Sequence, residues 1–491
     1  MGKHAKERKE EMKKAFRMAA LMLCIVLVVG AFAGCNSGTN TKDGDTKTTV
    51  NNSNKETEKS TTIEANKDQG EQNSEIAGWK GGFTEEQLAS FYNVAIKVGY
   101  SENFKYVTKG YTVGSGEGAE EVNYFMDLIR EKFPNAEFIK IEDPYDTDAI
   151  ISAGYDVVFG LDTYALQFLK SKSGLKEFEP EWADEVSKNL NDTDNQYFAI
   201  AKDMVVSAYR VTGIVEDSAD LEKQKDKETF GGIEISNVEN VTDLWKEGSA
   251  YIGKYELDRY SSDWNETANK TFLVGLLSNY IDKIAEGTDF VSEEGWNQLQ
   301  AMVNGRSAEW AEAEEKKNVC GTGDFINNIA QTQITINYAS DAIDKMAWYW
   351  AAGKCARLDV IEYPSLPTFI YGAAIMASTA NIEASQLFMD YVGATETVYE
   401  MAKHMRTLIP ANENVFTEAN VKEFDENGSG SEYKDYTAAI DAEGNKIVRI
   451  IPTRQYMFPV MSMEAQKIDW DFVCEHIDTW VARANAMVKG E

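Results

Sequence analysis

From Glu120 onward, apolar runs of strand length alternate with amphipathic stretches of helix length, and this alternation constrains the fold more than any other feature. Val122, Phe125, Met126, Ile129 and Phe133 recur at helical spacing, and Pro134-Asn135 closes that helix. Phe138–Ile141 and Asp156–Gly160 read as buried strands, Thr163–Lys172 as a helix and Val205–Tyr209 as a further strand. Strands separated by helices of this length indicate an α/β fold on a parallel sheet. About 380 residues carry the pattern, too many for one core. Two lobes with a ligand cleft between them are therefore expected, because open α/β sheets bind at the carboxyl ends of their strands.

The rest of the chain fits that plan. Phe272, Leu273, Leu276, Leu277 and Tyr280 form one helical stripe, and Ser292 with Glu293-Glu294 starts another helix. Ile334, Ile336 and Tyr338 alternate as a strand, after which Ser340 is placed to cap a helix to about Ala351. Leu358–Tyr363, Tyr371–Met376 and Ile447–Ile451 read as strands. Asn381 is placed to cap a helix containing Leu387 and Phe388, and a long amphipathic helix from Trp470 ends the chain. Segments 217–240 and 424–446 are polar and glycine-containing, as surface insertions are. Lobe 1 is expected at about 107–215 plus part of the C-terminal region, and lobe 2 at about 241–380.

The N-terminus has a different character. A basic segment precedes an uncharged apolar run, Met18–Phe32, too short to span a bilayer comfortably. Small residues then lead to Cys35, as in a secretion signal. Ala31-Phe32-Ala33-Gly34-Cys35 resembles the lipobox of bacterial lipoproteins, which implies removal of residues 1–34 and lipidation of Cys35. Residues 35–76 are almost devoid of large apolar side chains and read as a disordered tether, leaving 77–491 as the body. An acyl anchor and a tether would place the body outside the cytoplasmic membrane.

Composition narrows the function. With 81 Asp+Glu against 49 Lys+Arg the chain carries −32, which argues against nucleic acid as a partner. Three His are poor material for a His triad or a His-rich metal site. No CxxC occurs; Cys320, Cys355 and Cys474 allow at most one disulfide. Neither GxSxG nor HExxH is present, and carboxylate pairs are too abundant to signal an enzyme.

Four stretches carry a family resemblance. They are Ala153–Leu169 (AGYDVVFGLDTYALQFL), Val241–Trp245 (VTDLW), Pro367–Met376 with Asn381–Tyr391 (PTFIYGAAIM…NIEASQLFMDY), and Ile468–Trp480 (IDWDFVCEHIDTW). Their order resembles that of extracellular solute-binding proteins of ABC importers, in the branch with iron(III), thiamine, phosphonate and phosphosugar binders. The resemblance implies a two-lobed, type II periplasmic-binding-protein-like fold. It implies no catalysis and no resident cofactor, a small-molecule or metal solute, ABC permease subunits as partners, and action as a monomer. It also places the first core strand near Tyr111–Gly116.

The same resemblance implies a cleft lined by four loops. The first holds Ser115 and Gly116, whose backbone N–H groups suit an anion, or which form a plain turn. The second holds Asp162 and Thr163, which face the solute or cap the next helix. The third holds Arg259, Ser261 and Ser262, and the fourth Tyr338 and Asp341. Were iron(III) the cargo, phenols near strand ends (Tyr338, Tyr363, Tyr371) would serve it; a small polar or phosphorylated organic solute is equally open. The aromatic run Trp348-Tyr349-Trp350 reads as core or as a stacking wall. A surface sensor or adhesin on the same fold, or a secreted hydrolase, are the competing functions.

Overall fold

The computed structural model describes residues 79–104, 119–210, 235–257, 264–265, 267–282, 289–307, 333–343, 358–405, 407–427, 455, 458–459 and 462–489. In chain order its strands are β1 (Lys97–Ser101), β2 (Glu137–Ile141), β3 (Val157–Asp162), β4 (Leu175–Lys176), β5 (Phe198–Arg210), β6 (Tyr255–Leu257), β7 (Ile334–Tyr338), β8 (Leu358–Val360) and β9 (Thr368–Met376). The principal helices are α1 (Glu85–Phe91), α2 (Ala119–Lys132), α3 (Thr147–Ser152), α4 (Thr163–Ser171), α5 (Thr267–Ser278), α6 (Glu293–Asn304), α7 (Ile382–Val392), α8 (Thr395–His404), α9 (Glu418–Asn427) and α10 (Trp470–Lys489). The expected leader, Cys35, the tether, Cys320, Cys355, Trp348–Trp350 and the strand at Ile447–Ile451 lie outside the described residues.

The strand order is β2-β1-β3-β9-β5-β7-β6, with β4 on β9 and β8 on β5. The sheet is mixed, not parallel as the alternation of strands and helices indicates. β1 is parallel to β2 and β3, and β6 to β7, but β9 runs antiparallel to β3 and β5, and β5 antiparallel to β7 and β8. The cause is that β5 serves two sheets. Its first part, to Met204, pairs with β9; from Val205 it pairs with β7. Val205 N–H donates to the Pro367 carbonyl at 2.8 Å, closing the join. β1, Lys97–Ser101, lies between β2 and β3 and is the first strand among the described residues; the expected strand near Tyr111–Gly116 lies outside them.

Two hydrophobic cores flank this join. The first gathers Val98, Phe133, Phe159, Leu166, Phe198, Phe369 and Phe388. The second gathers Val206, Trp245, Tyr255, Leu273, Trp296, Ile336 and Trp480. All nine residues of β9 are buried, which is why its sequence reads as a continuous apolar run rather than an alternating one. The chain enters the first core through Trp79, whose Nε1 donates to Asp390 Oδ2 at 2.7 Å, while Lys80 pairs with Asp390 (2.9 Å) and Glu181 (2.8 Å). α10 seats Val473, Ile477, Trp480 and Ala484 in the second core. Among the described residues, no helix is long and apolar enough to cross a membrane.

One backbone irregularity positions the cleft. Gly160 sits mid-strand at φ +69°, where the β3–β9 register shifts between Phe159 and Leu161. A bulge of this kind re-aims the residues that follow it. A Cβ at Gly160 would lie 2.8 Å from Phe104 Cβ. Gly160→Ala is therefore expected to lower stability by about 2 kcal/mol or more in urea denaturation, combining the left-handed penalty with the clash.

Candidate functional site

The bulge delivers Asp162 to the mouth between the cores, and its two oxygens divide their work. Oδ1 caps α4 by accepting from Ala165 N–H at 2.9 Å; Oδ2 accepts from the Tyr145 hydroxyl at 2.5 Å. Burial pushes this carboxyl above its ordinary range, and the bond from Tyr145 opposes that shift. Thr163 is committed elsewhere: its Oγ1 accepts from Ile370 N–H at 2.9 Å, and the side chain is 1 % exposed.

α5 of the second core faces this pair. The Thr267 side chain reaches the Tyr145 hydroxyl, and Tyr164 and Thr271 approach to 3.4 Å through their hydroxyls. Lys270 Nζ lies 5.7 Å from the Tyr145 ring centre and 5.0 Å from that of Tyr164, within cation–π reach of both. Among the described residues it makes no ion pair within 4 Å.

Tyr338, at the end of β7, stacks on Phe369 at 4.9 Å, and Phe369 meets Tyr371 at 5.1 Å. The Tyr338 hydroxyl is buried and has no partner among the described residues. Burial, with the neighbouring Tyr371 phenol and Asp203 and Asp162 carboxyls, pushes Tyr338 well above the ordinary phenol range. Desolvation and the Asp162 carboxylate push Tyr145 in the same direction. Tyr338, Tyr371 and Asp162 thus meet where burial disfavours negative charge on Tyr338 and Asp162, while Tyr145 stays 38 % exposed.

The helical turn that begins at Ala339 is capped by Asp203 of β5 rather than by Ser340. Asp203 accepts from Ser340 N–H at 3.2 Å and from the Ser340 hydroxyl, and so ties the crossing strand to the second core. Asp341 accepts from Asn337 Nδ2 at 2.7 Å. Tyr363 points away from the cleft, its hydroxyl donating to Ser207 Oγ at 2.9 Å. Ser115, Gly116, Arg259, Ser261 and Ser262 lie outside the described residues.

The structure therefore brings together Asp162, Tyr338 and Tyr371 and adds Tyr145 and Lys270, which the sequence reading leaves out. Tyr145 was within reach: it follows strand β2 in Asp143-Pro144-Tyr145, at the carboxyl edge where ligands bind. Nothing in the sequence marks Lys270. Among the described residues, no three His, Cys, Asp or Glu side chains gather as a metal cluster.

The fold has known counterparts. No protein-family model matches the chain. A probable ABC transporter periplasmic-binding protein of Sinorhizobium fredii is 21% identical over 340 residues, covering 68% of this chain and 73% of that protein. The apo ferric ion-binding protein A of Pasteurella haemolytica superposes with a TM-score of 0.50 at 12% identity, over 80% of this chain and 98% of that one. The ferric binding protein of Campylobacter jejuni gives a TM-score of 0.48 at 15% identity, over 80% and 99%. The resemblance to ABC-importer solute-binding proteins thus holds in sequence and in fold, and the fold is the two-lobed, type II one.

Burial pushes Asp203 up to about 7. A carboxyl that binds its proton more tightly folded than unfolded costs stability as pH rises from about 4 to about 7. Chemical denaturation across that window should show a falling contribution in the parent protein and a flatter profile in Asp203→Asn, which keeps the acceptor for Ser340 N–H.

Proposed function

We propose that the chain is a lipid-anchored, extracytoplasmic solute receptor that hands its cargo to an ABC-type permease, and that the cargo is iron(III). The observation that carries the cargo is the phenol cluster. Tyr145, Tyr338, Tyr371 and Asp162 are hard oxygen donors, the class a trivalent cation prefers. Burial raises Tyr145, Tyr338 and Asp162 above their ordinary ranges, and a strong cation would oppose that shift and release protons. The Pasteurella neighbour is itself a ferric ion-binding protein, in keeping with this reading. Lobe 1 would comprise the first core and lobe 2 the second, with β5 and β9 as the hinge. Cargo contacts from both sides would then favour the closed state. No bond is made or broken in such a protein.

Titration with iron(III)-citrate tests the cargo. A visible phenolate-to-iron charge-transfer band should appear, protons should be released, and Tyr338→Phe should weaken binding at least tenfold. A second reading rests on Lys270, a cation that makes no ion pair among the described residues. It could hold the carboxylate or phosphate of a small organic anion. That reading predicts a thermal shift with an anion alone, lost in Lys270→Gln, and no visible band. Silence in both titrations would refute both cargo readings.

The anchor rests on the Cys35 context. Cys35→Ala should move the protein from the membrane fraction to the medium, as followed by immunoblot. Retention on the membrane would refute lipidation at that residue.

A further inference from the structure

A second cavity, of about 360 Å³, lies in the described residues apart from the cleft. Its size falls in the range of small-molecule sites. Val205 and Ser207 of β5 and Ile336 of β7 form one wall, and Phe272 and Leu276 of α5 the facing one. Neither the cleft phenols nor Asp162 or Lys270 line it.

Its chemistry differs from that of the cleft. Among the described residues, no lining side chain is charged, in a chain where 26% of residues are. Two of its polar groups offer a donor and an acceptor at separate points. Ser207 Oγ accepts from the buried Tyr363 hydroxyl at 2.9 Å, so its own proton is left to donate. Across the cavity, Gln466 spends its Nε2 on the Gly275 carbonyl (2.9 Å) and Asn279 Oδ1 (3.3 Å), so its Oε1 is left to accept. Asn240, Thr242, Asn279 and Ser365 also line it, beside the apolar Val205, Phe272, Leu276 and Ile336.

We propose that this cavity is a second ligand site, for a neutral molecule with an amide-type donor–acceptor edge on an apolar or aromatic body. A charged group would go unpaired there and lose its hydration, whereas an amide matches both protein groups. Val205 and Pro367, whose backbone bond closes the strand crossing, both line the cavity, so an occupant rests against the hinge.

Ligand-observed NMR titrations of the full chain with benzamide, benzoate and benzylammonium test this. The three probes share size and shape and differ in charge. Benzamide should saturate near a millimolar Kd, as expected for so small a ligand, with both charged analogues at least tenfold weaker. Thr242→Trp, which fills the mouth, should lower benzamide affinity at least tenfold, and Ser207→Ala, which removes the donor, about fivefold. Thermal melts establish that each variant is folded, and either folded variant suffices. Equal binding of the three probes, or benzamide affinity unchanged in a folded variant, would overturn the proposal.

Discussion

The antiparallel pairing of β5 with β9 is the interaction on which the rest of the molecule depends. Each of these strands is shared: β5 leaves the sheet it forms with β9 at Met204 and continues beside β7 from Val205. A backbone ladder is directional and nearly inextensible along the strand, yet it twists at modest cost. Two strands at the join therefore tie the cores to one another through a continuous backbone ladder. The cleft follows from this. Tyr371 lies on β9 opposite Ala201, Asp203 on β5 opposite Phe369, and Tyr338 at the end of the strand that β5 joins next, so the crossing itself brings these strands' residues to one region.

The electrostatic character of the cleft follows from what surrounds it. The chain is strongly acidic, yet burial raises the cleft groups Tyr338 and Asp162 above their ordinary ranges. Asp162 illustrates the trade. One oxygen meets the local demand of a helix start and the other is turned to Tyr145, so a single side chain serves both folding and the site. Gly160 makes this possible, since only a bulge with positive φ lets β3 end with its last residue at the cap position.

Much of the fold is legible in the sequence, because periodicity records burial. α2, α4, α10, β2 and β7 all follow apolar spacing set by burial. Strand direction is not recorded. β9 and β5 look like any buried strands, and their antiparallel sense depends on partners more than 150 residues apart. β1 escapes because the weak run Lys97–Ser101 precedes the segment where a first strand is expected. In the cleft, Asp162 and Tyr338 are legible as strand-end residues, which is a general property of α/β edges. Lys270 is not, since a single lysine on a half-buried helix face has no pattern to betray it. Tyr363 shows the converse. It sits near a strand end as Tyr338 does, but β8 ends at Val360 and the phenol turns to Ser207 instead.

The anchoring of Trp79 has a consequence for measurement. Through Asp390 and Lys80 the start of the described chain is fastened to the first core, whereas Trp480 and Ala484 fasten the last helix to the second. The polypeptide thus enters the body on one core and ends on the other. Any turn about the β5–β9 crossing alters the separation of those two ends, while rearrangement inside either core leaves it nearly constant. The molecule therefore carries its own ruler, and a pair of dyes near Trp79 and Lys489 would read such a turn without a label near Asp162 or Tyr338.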